Sequence, residues 1–214
     1  MTIQLLCAPP AVFSPCEFRI KWARSDWELR QTRQTRQLRR AVFCAEQGVF
    51  VGDDRDAVDA ADSHARTLVA VACVAGESDQ VVGTVRLHTG PTSNDGNDGS
   101  DSKVGDTADG LWWGSRLAVH AAFRHHARLG SALIQLAVGS ARARGCQLFL
   151  AHVQAQHQAL FERLHWRALK PLQLHGRPHL LMQAGLDHYP HCHDPVTRFV
   201  VRSVVTPALN SQAR

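Results

Sequence analysis

The stretch SRLAVHAAFRHHARLGSALIQLA, residues 115–137, decides the fold. An apolar run ending at Val119 reads as a strand, and a short basic loop follows it. From Leu129 the apolar positions recur at helical spacing through Leu133, Leu136, Ala137 and Ser140, and Gly145 closes the helix. A strand that enters a helix through a short loop presents consecutive backbone N–H groups at the helix N-terminus. Those groups and the helix dipole suit a phosphate. Arg124 and Arg128 add charge that forks onto phosphate oxygens, and His125 and His126 add donors. A plain helix start with a basic surface accounts for the same residues.

Upstream, FRIKWA (18–23) reads as a strand, and Ser25-x-x-Glu28 is a capping box for a helix expected to reach about Gln47. Leu38, Ala41, Val42 and Ala45 give it one apolar face. Its QTRQTRQLR segment reads as a solvated basic face. Asp53, Asp54, Asp56, Asp59 and Asp62 follow. Their spacing is not that of a calcium loop, so a solvated loop or short helix is expected. ARTLVAVACVAG (65–76) and VVGTVRLHT (81–89) form a hairpin signature. Residues 90–110 are rich in Gly and Asp and are expected to be a mobile insert that buries nothing. Downstream come a buried strand, CQLFLAHV (146–153), an amphipathic helix, QHQALFERLHW (156–166), and two closing strands in WRALKPLQLHG and RPHLLMQAG. The order predicts an α/β fold.

A chain of 214 residues, 44% hydrophobic, has material for one core. The expected organisation is an N-terminal extension (1–17), one domain (18–186) and a C-terminal tail (187–214). No apolar run is long enough to span a membrane. The N-terminus lacks the basic region of a secretion signal. Six scattered cysteines without a C-x-x-C pair read as reduced thiols of a cytoplasmic protein. The net charge is +5, but residues 91–110 carry −4, so the remainder carries +9 and favours an anionic partner. Nucleic acid is disfavoured by the lack of helix-turn-helix or zinc-finger spacing and of basic–aromatic interleaving. His188, His191, Cys192 and His193 are zinc-ligand types, but adjacent residues rarely converge on one ion, so no metal is expected.

The run L-A-V-H-x-x-x-R-H-H-A-R-L-G-S-A-L-I (117–134) resembles the acyl-CoA-binding motif of the GNAT (Gcn5-related N-acetyltransferase) superfamily. The resemblance implies a central, mostly antiparallel sheet flanked by helices, with acetyl-CoA as co-substrate. It assigns the backbone at Leu117, Ala118 and Val119 to the pantetheine arm. It assigns Arg124 and the amides of His125, His126, Ala127, Arg128, Leu129, Gly130 and Ser131 to the pyrophosphate. The first glycine of the family motif is replaced by Arg128, or by Ala127 if the motif is counted from Arg124. LFLAHVQAQHQALFERLHW resembles the family's next strand and helix. There His157 takes the place of an Asn near the cofactor and Phe161 that of a Tyr whose hydroxyl protonates the leaving thiolate. Phe cannot do so, although a thiolate leaves readily without an acid.

R-R-A-V-F-C-A-E-Q-G-V-F (39–50) resembles a GNAT subgroup with R-x-x-V-F-x-x-E-Q, and D-D-R-D-A-V-D extends the likeness. The same segment is faintly similar to acyl-homoserine-lactone synthases. It is most similar to a stand-alone bacterial branch encoded beside nitrilase-type gene clusters. The implied reaction is attack of an amine, on a small molecule or a protein, on the acetyl thioester. Glu46, Asp59 and His120 are the candidate bases, and the Val119 N–H is the candidate oxyanion donor. Trp112 and Trp113 are candidates to wall an acceptor pocket. Two other readings stay open: an acyl-CoA-binding or scaffold protein without activity, which Phe161 favours, and a basic nucleic-acid-binding module. A homodimer is also left open.

Overall fold

The structure, a computed structural model, describes residues 13–23, 28–60, 65–74, 79–90, 110–124 and 128–205. Strand β1 (Phe13–Trp22) is followed by helix α1 (Glu28–Arg39), a π-helical segment (Arg40–Glu46) and a short helix α2 (Ala57–Ala60). The hairpin β2 (Arg66–Val74) and β3 (Gln80–Thr89) comes next. Then follow β4 (Leu111–Val119), α3 (Leu129–Arg142), β5 (Leu148–Gln154), α4 (Gln158–Arg163), β6 (Trp166–Leu174), β7 (Arg177–Ala184) and β8 (Thr197–Val205). The eight strands form one sheet in the order β6-β7-β5-β4-β3-β2-β1-β8. Every pairing is antiparallel except β4 with β5. This is the mixed, mostly antiparallel sheet that the resemblance implied.

Successive side chains of a strand point to opposite faces, and the middle of this sheet is buried on both. In β2, Leu68, Ala70 and Ala72 pack with Leu129, Leu133 and Ala137 of α3. Val69 and Val71 pack on the other face with Leu38 of α1 and Val42 and Phe43 of the π segment.

The π segment corrects the expected helix face. The Gln47 N–H reaches back five residues to the Val42 carbonyl at 2.9 Å. The wider turn rotates the buried stripe onto Val42 and Phe43 and leaves Ala41 and Ala45 exposed. The basic face behaves as expected at Arg33 and Arg36, which are exposed, whereas Arg39 is buried.

Two domain boundaries are also corrected. The sheet begins at Phe13, because β1 pairs with β8 from Phe13 opposite Val205. Residues after 186 are not a tail. Tyr189 is buried, and its hydroxyl accepts from Trp166 Nε1 at 3.0 Å and donates to the Leu164 carbonyl. The Cys192 N–H donates to the Gly139 carbonyl at 3.0 Å, so this segment lies on α3 before β8 closes the sheet edge. The sequence hides this, because a polar His-rich segment shows no periodicity. Most of the 90–110 insert, residues 91–109, lies outside the described residues.

Gly139 permits the docking, since a Cβ there would lie 2.7 Å from the Pro190 carbonyl oxygen. Gly139→Ala is expected to cost about 1–3 kcal/mol by overpacking, read as a lower urea midpoint at unchanged m-value.

Candidate functional site

The site begins where β4 and β5 part. They pair only from Leu111 opposite Leu148 to Gly114 opposite Ala151, although β4 continues to Val119 and β5 to Gln154. The cause lies on the other edge of β4. Thr84 pairs with Ala118 and Arg86 with Ser115, so Val85 of β3 faces two residues of β4, Arg116 and Leu117. This bulge bends β4 away from its neighbour. Arg116 sits at φ +51°, a left-handed conformation that a non-glycine residue keeps only when its surroundings hold it.

What holds Arg116 is a closed ring of six buried or half-buried charges. Arg39 contacts Asp54 at 2.7 Å and Asp59 at 2.7 Å. Arg116 contacts Asp54 at 3.2 Å and Asp56 at 2.9 Å. Arg86 contacts Asp56 at 2.6 Å and Asp59 at 2.9 Å. Each guanidinium bridges two carboxylates and each carboxylate two guanidiniums, so the ring is neutral. Arg116 also lies 4.6 Å over the Phe50 ring. Asp54, Asp56 and Asp59 are thus not solvated, Asp54 being only 2% exposed; Asp53 is exposed, the expected short helix is α2, and Asp62 lies outside the described residues. Asp59, a candidate base, is a structural ion here. Burial raises its pKa, but the hydrogen bonds and charges of Arg39 and Arg86 outweigh that and hold it well below the usual carboxylate range.

The splay opens a cavity of about 220 Å³ that passes through the sheet. On the α3 side its wall is apolar, with Ile134, Ala137, Phe149, Phe161 and Trp166. On the α1 side the wall mixes Phe43, Phe50 and Trp113 with Gln47, His88 and His152. Trp112 and Trp113 divide between these roles: Trp112 joins the α3-side core, and Trp113 points the other way and lines the cavity. The segment after the π turn is fastened over the α1-side lobe. Gln154 Nε2 donates to Gln47 Oε1 at 2.9 Å, Arg177 donates to the Gln47 carbonyl, and Phe50 meets the His175 ring at 4.6 Å.

The residues predicted for the donor lie at the open end of the splay. His120 N–H bonds the Val82 carbonyl at 2.8 Å, and strand alternation therefore turns the Val119 N–H to the opposite edge, facing the gap. Leu117 lines the cavity, while Ala118 is buried toward α1. The first bond at the start of α3 runs from the Ala132 N–H to the Arg128 carbonyl at 3.0 Å. The amides of Leu129, Gly130 and Ser131 precede it, and Arg128 is exposed at φ +51°. His125, His126 and Ala127 lie outside the described residues. His157 and Phe161 both line the cavity. Phe161 stacks edge-on against Trp166 at 5.1 Å. The chain's one tyrosine, Tyr189, is bonded at its hydroxyl and does not replace the missing acid.

Glu46 and Arg124, predicted for different tasks, meet: Arg124 grips the Glu46 carboxylate with two nitrogens, one at 2.6 Å. Arg124 also donates to the Val119 carbonyl at 3.0 Å. Its hydrogen bonds hold Glu46 below the usual carboxylate range. His120 Nδ1 accepts from the Ala122 N–H at 3.3 Å, and burial, then Arg124, lower its pKa. Neither Glu46 nor His120 reaches the cavity wall. The polar cavity residues missed by sequence reasoning include Arg86, His88, Arg116, His152 and Gln154. Each is a lone polar residue in a strand and carries no motif. The signal lay in VVGTVRLHT and LFLAHVQ, where polar residues sit in strands covered on both faces. Among the described residues no three His, Cys, Asp or Glu side chains converge as a metal site. No helix there is long and apolar enough to cross a membrane.

The family model of the N-acyl amino acid synthase FeeM matches residues 34–183. The chain belongs to that family. No curated protein matches it in sequence. Solved structures show the same fold for this FeeM-family chain. An acyl-CoA N-acyltransferase from Pseudomonas aeruginosa aligns with TM-score 0.56 at 21% identity, covering 78% of this chain and 99% of that one. Escherichia coli ElaA aligns with TM-score 0.58 at 19% identity, covering 79% and 99%. The CoA-dependent acyl-homoserine lactone synthase BjaI, solved with SAM and isopentyl-CoA, aligns with TM-score 0.59 at 16% identity, covering 77% and 82%. The FeeM-family chain is therefore an N-acyltransferase with the GNAT fold.

Removing one guanidinium from the ring leaves buried carboxylates undercompensated. Arg39→Ala is expected to cost about 3–5 kcal/mol in urea unfolding. Acid weakens the fold by a different route. Burial, then the charge of Arg86, lowers the His88 pKa to about 4. Burial lowers that of His152 to about 4 as well. Unfolded histidine titrates near 6.5, so between pH 6.5 and 4 the unfolded chain binds protons that the folded chain refuses. Stability should fall as pH falls through that window, and His88→Gln should reduce the fall by about 2 kcal/mol in urea titrations. Asp56 and Asp59, whose folded pKa values are depressed, add a further loss below about pH 4.

Proposed function

We propose that this chain transfers an acyl group from a CoA thioester to the amine of a small acceptor, forming an amide and releasing CoA. The observation that carries the reading is a cavity at the β4–β5 splay, lined from both faces of the sheet, with Leu117, His157 and Phe161 of the expected donor segments on its wall. The amides at the start of α3 that precede its first helical bond, with Arg128 beside them, suit the donor's phosphates. Arg124 would have to share its guanidinium between Glu46 and a phosphate. The pantetheine arm would run along the β4 edge, where Leu117 lines the cavity and the Val119 N–H faces the gap. There Val119 would donate to the oxyanion as the amine attacks.

The family name points to an amino acid as acceptor, bound on the α1 side among Phe43, Phe50 and Trp113. Acetyl-CoA is the smallest donor this arrangement would take. The apolar wall on the α3 side favours a longer acyl chain, because about 220 Å³ is several times the ~30 Å³ share of one water. Phe161 supports a second reading, binding of acyl-CoA without turnover, because it supplies no proton to the thiolate. A thiolate is a good enough leaving group to depart without one, so the transferase reading is preferred.

The test uses acetyl-CoA, hexanoyl-CoA and decanoyl-CoA with a panel of the twenty common amino acids. The CoA esters should raise Tm, and CoA release should accelerate with at least one acceptor. Hexanoyl-CoA or decanoyl-CoA should give the higher kcat/KM. Stabilisation without acceptor-dependent release would establish the binding-only reading, and stabilisation by DNA alone would overturn both. Replacing Arg124 and Arg128 together with Ala should weaken CoA at least tenfold, and dephosphorylated pantetheine hardly at all.

A further inference from the structure

His152 follows Ala151, the last residue of β5 that pairs with β4. Ala151 and Val153 face α3, so His152 faces the α1 side, next to Leu150 and Trp113. Its imidazole lines the cavity, 5.2 Å from the Trp113 ring at a tilt of 53°. It therefore stands at the vertex of the splay, on the face where the acceptor is placed.

Most other polar groups of the wall are committed, among them His88, which shares a hydrogen bond with the Thr89 backbone. Gln47 and Gln154 bond each other. Arg86, Arg116 and Asp56 belong to the charge ring, and Ser115 accepts from Arg86 at 3.0 Å. His179 is bonded to the Arg177 carbonyl at 2.9 Å, and His157 lies 3.4 Å from Gln156 Nε2. Among the described residues the His152 side chain makes no hydrogen bond; its ring meets that of Trp113, whose own Nε1 is buried without a partner. A half-buried imidazole left without a hydrogen bond beside an unpaired indole N–H calls for a ligand.

We propose that His152 is the catalytic base of the acyl transfer. The inference rests on the transferase reading above and names the group that takes the proton. The acceptor nitrogen attacks the thioester carbonyl, the C–N bond forms, and the nitrogen becomes positively charged. A ring nitrogen of His152 takes the surplus proton, and the C–S bond breaks with its electron pair going to sulfur. The thiolate then recovers a proton from imidazolium or solvent. Burial first, then the charges of His179 and Lys170, keeps the empty-site imidazole neutral at pH 7, as a base must be. It is too weak to strip a hydrated ammonium, so the acceptor binds as free amine. The far more acidic nitrogen of the adduct gives up the proton.

The test compares wild type with His152→Ala and His152→Gln. Hexanoyl-CoA is the donor, and the acceptor is whichever of the twenty amino acids the wild type uses best. Both variants should keep the hexanoyl-CoA thermal shift, which shows that they fold and bind donor. Both should lose about 100-fold or more in kcat, the usual size of a base contribution. Added imidazole should restore activity at least tenfold to His152→Ala and not to wild type. If His152→Gln keeps kcat within threefold of wild type, or imidazole restores nothing to His152→Ala, the assignment of His152 is overturned. If the wild type neither binds hexanoyl-CoA nor releases CoA, the transferase reading fails, and the base assignment with it.

Discussion

Six charges in alternation hold this molecule in its working shape. Arg39 comes from the end of α1, Asp54 and Asp56 from the loop beyond it, Asp59 from α2, Arg86 from β3 and Arg116 from β4. Burying any one alone would cost several kcal/mol of lost solvation. In the ring each charge has two opposite neighbours, so the desolvation is compensated locally and no member is dispensable. The ring draws the 53–60 segment onto the sheet and keeps Arg116 in a backbone conformation it would not choose. Through Arg116 it stabilises the β4 bulge, and the bulge parts β4 from β5.

The parting of those strands gives the cavity its character. The middle of the sheet is sealed by packing on both faces, with α3 on one and α1 with its π turn on the other. Where the β4–β5 ladder stops, a cavity opens between them. Gly114, the last paired residue on β4, marks that limit: a Cβ there would come within 2.9 Å of the Phe149 ring. The side chains just beyond fall alternately on the two faces, so one lobe is apolar and the other mixed. A thioester lying in the gap would keep its acyl chain dry on one side and meet an amine on the other.

The open end of the splay carries the polar machinery. Main-chain donors at Val119 and at the start of α3 are fixed by secondary structure and need no rearrangement to face an anion. Arg124 ties the end of the π segment, at Glu46, to the end of β4, at Val119. The π segment and the loop after β4 are thereby mechanically joined. Phe161 completes the apolar packing around Trp166 and has no proton to offer a leaving thiolate.

The sequence alone was enough for the order of the strands β1 to β7 and for the strand–loop–helix unit from Leu117 to Ala137. It also pointed to the GNAT superfamily, though not to the FeeM family within it, through motifs read within a few residues of one another. Local signals sufficed there, because apolar periodicity and a helix start are properties of short windows. Tertiary structure decided what depends on distant partners. Asp54 and Asp56 look solvated until Arg39, Arg86 and Arg116 surround them. Ala41 and Ala45 look buried until the helix widens, and residues 187–205 look like a tail until Gly139 and β1 receive them. His152 is one polar letter in an apolar strand, and only the end of the β4–β5 ladder gives it a cavity to face. Burial and charge compensation are set by residues far apart in the chain, and no local window contains both sides of such a contact.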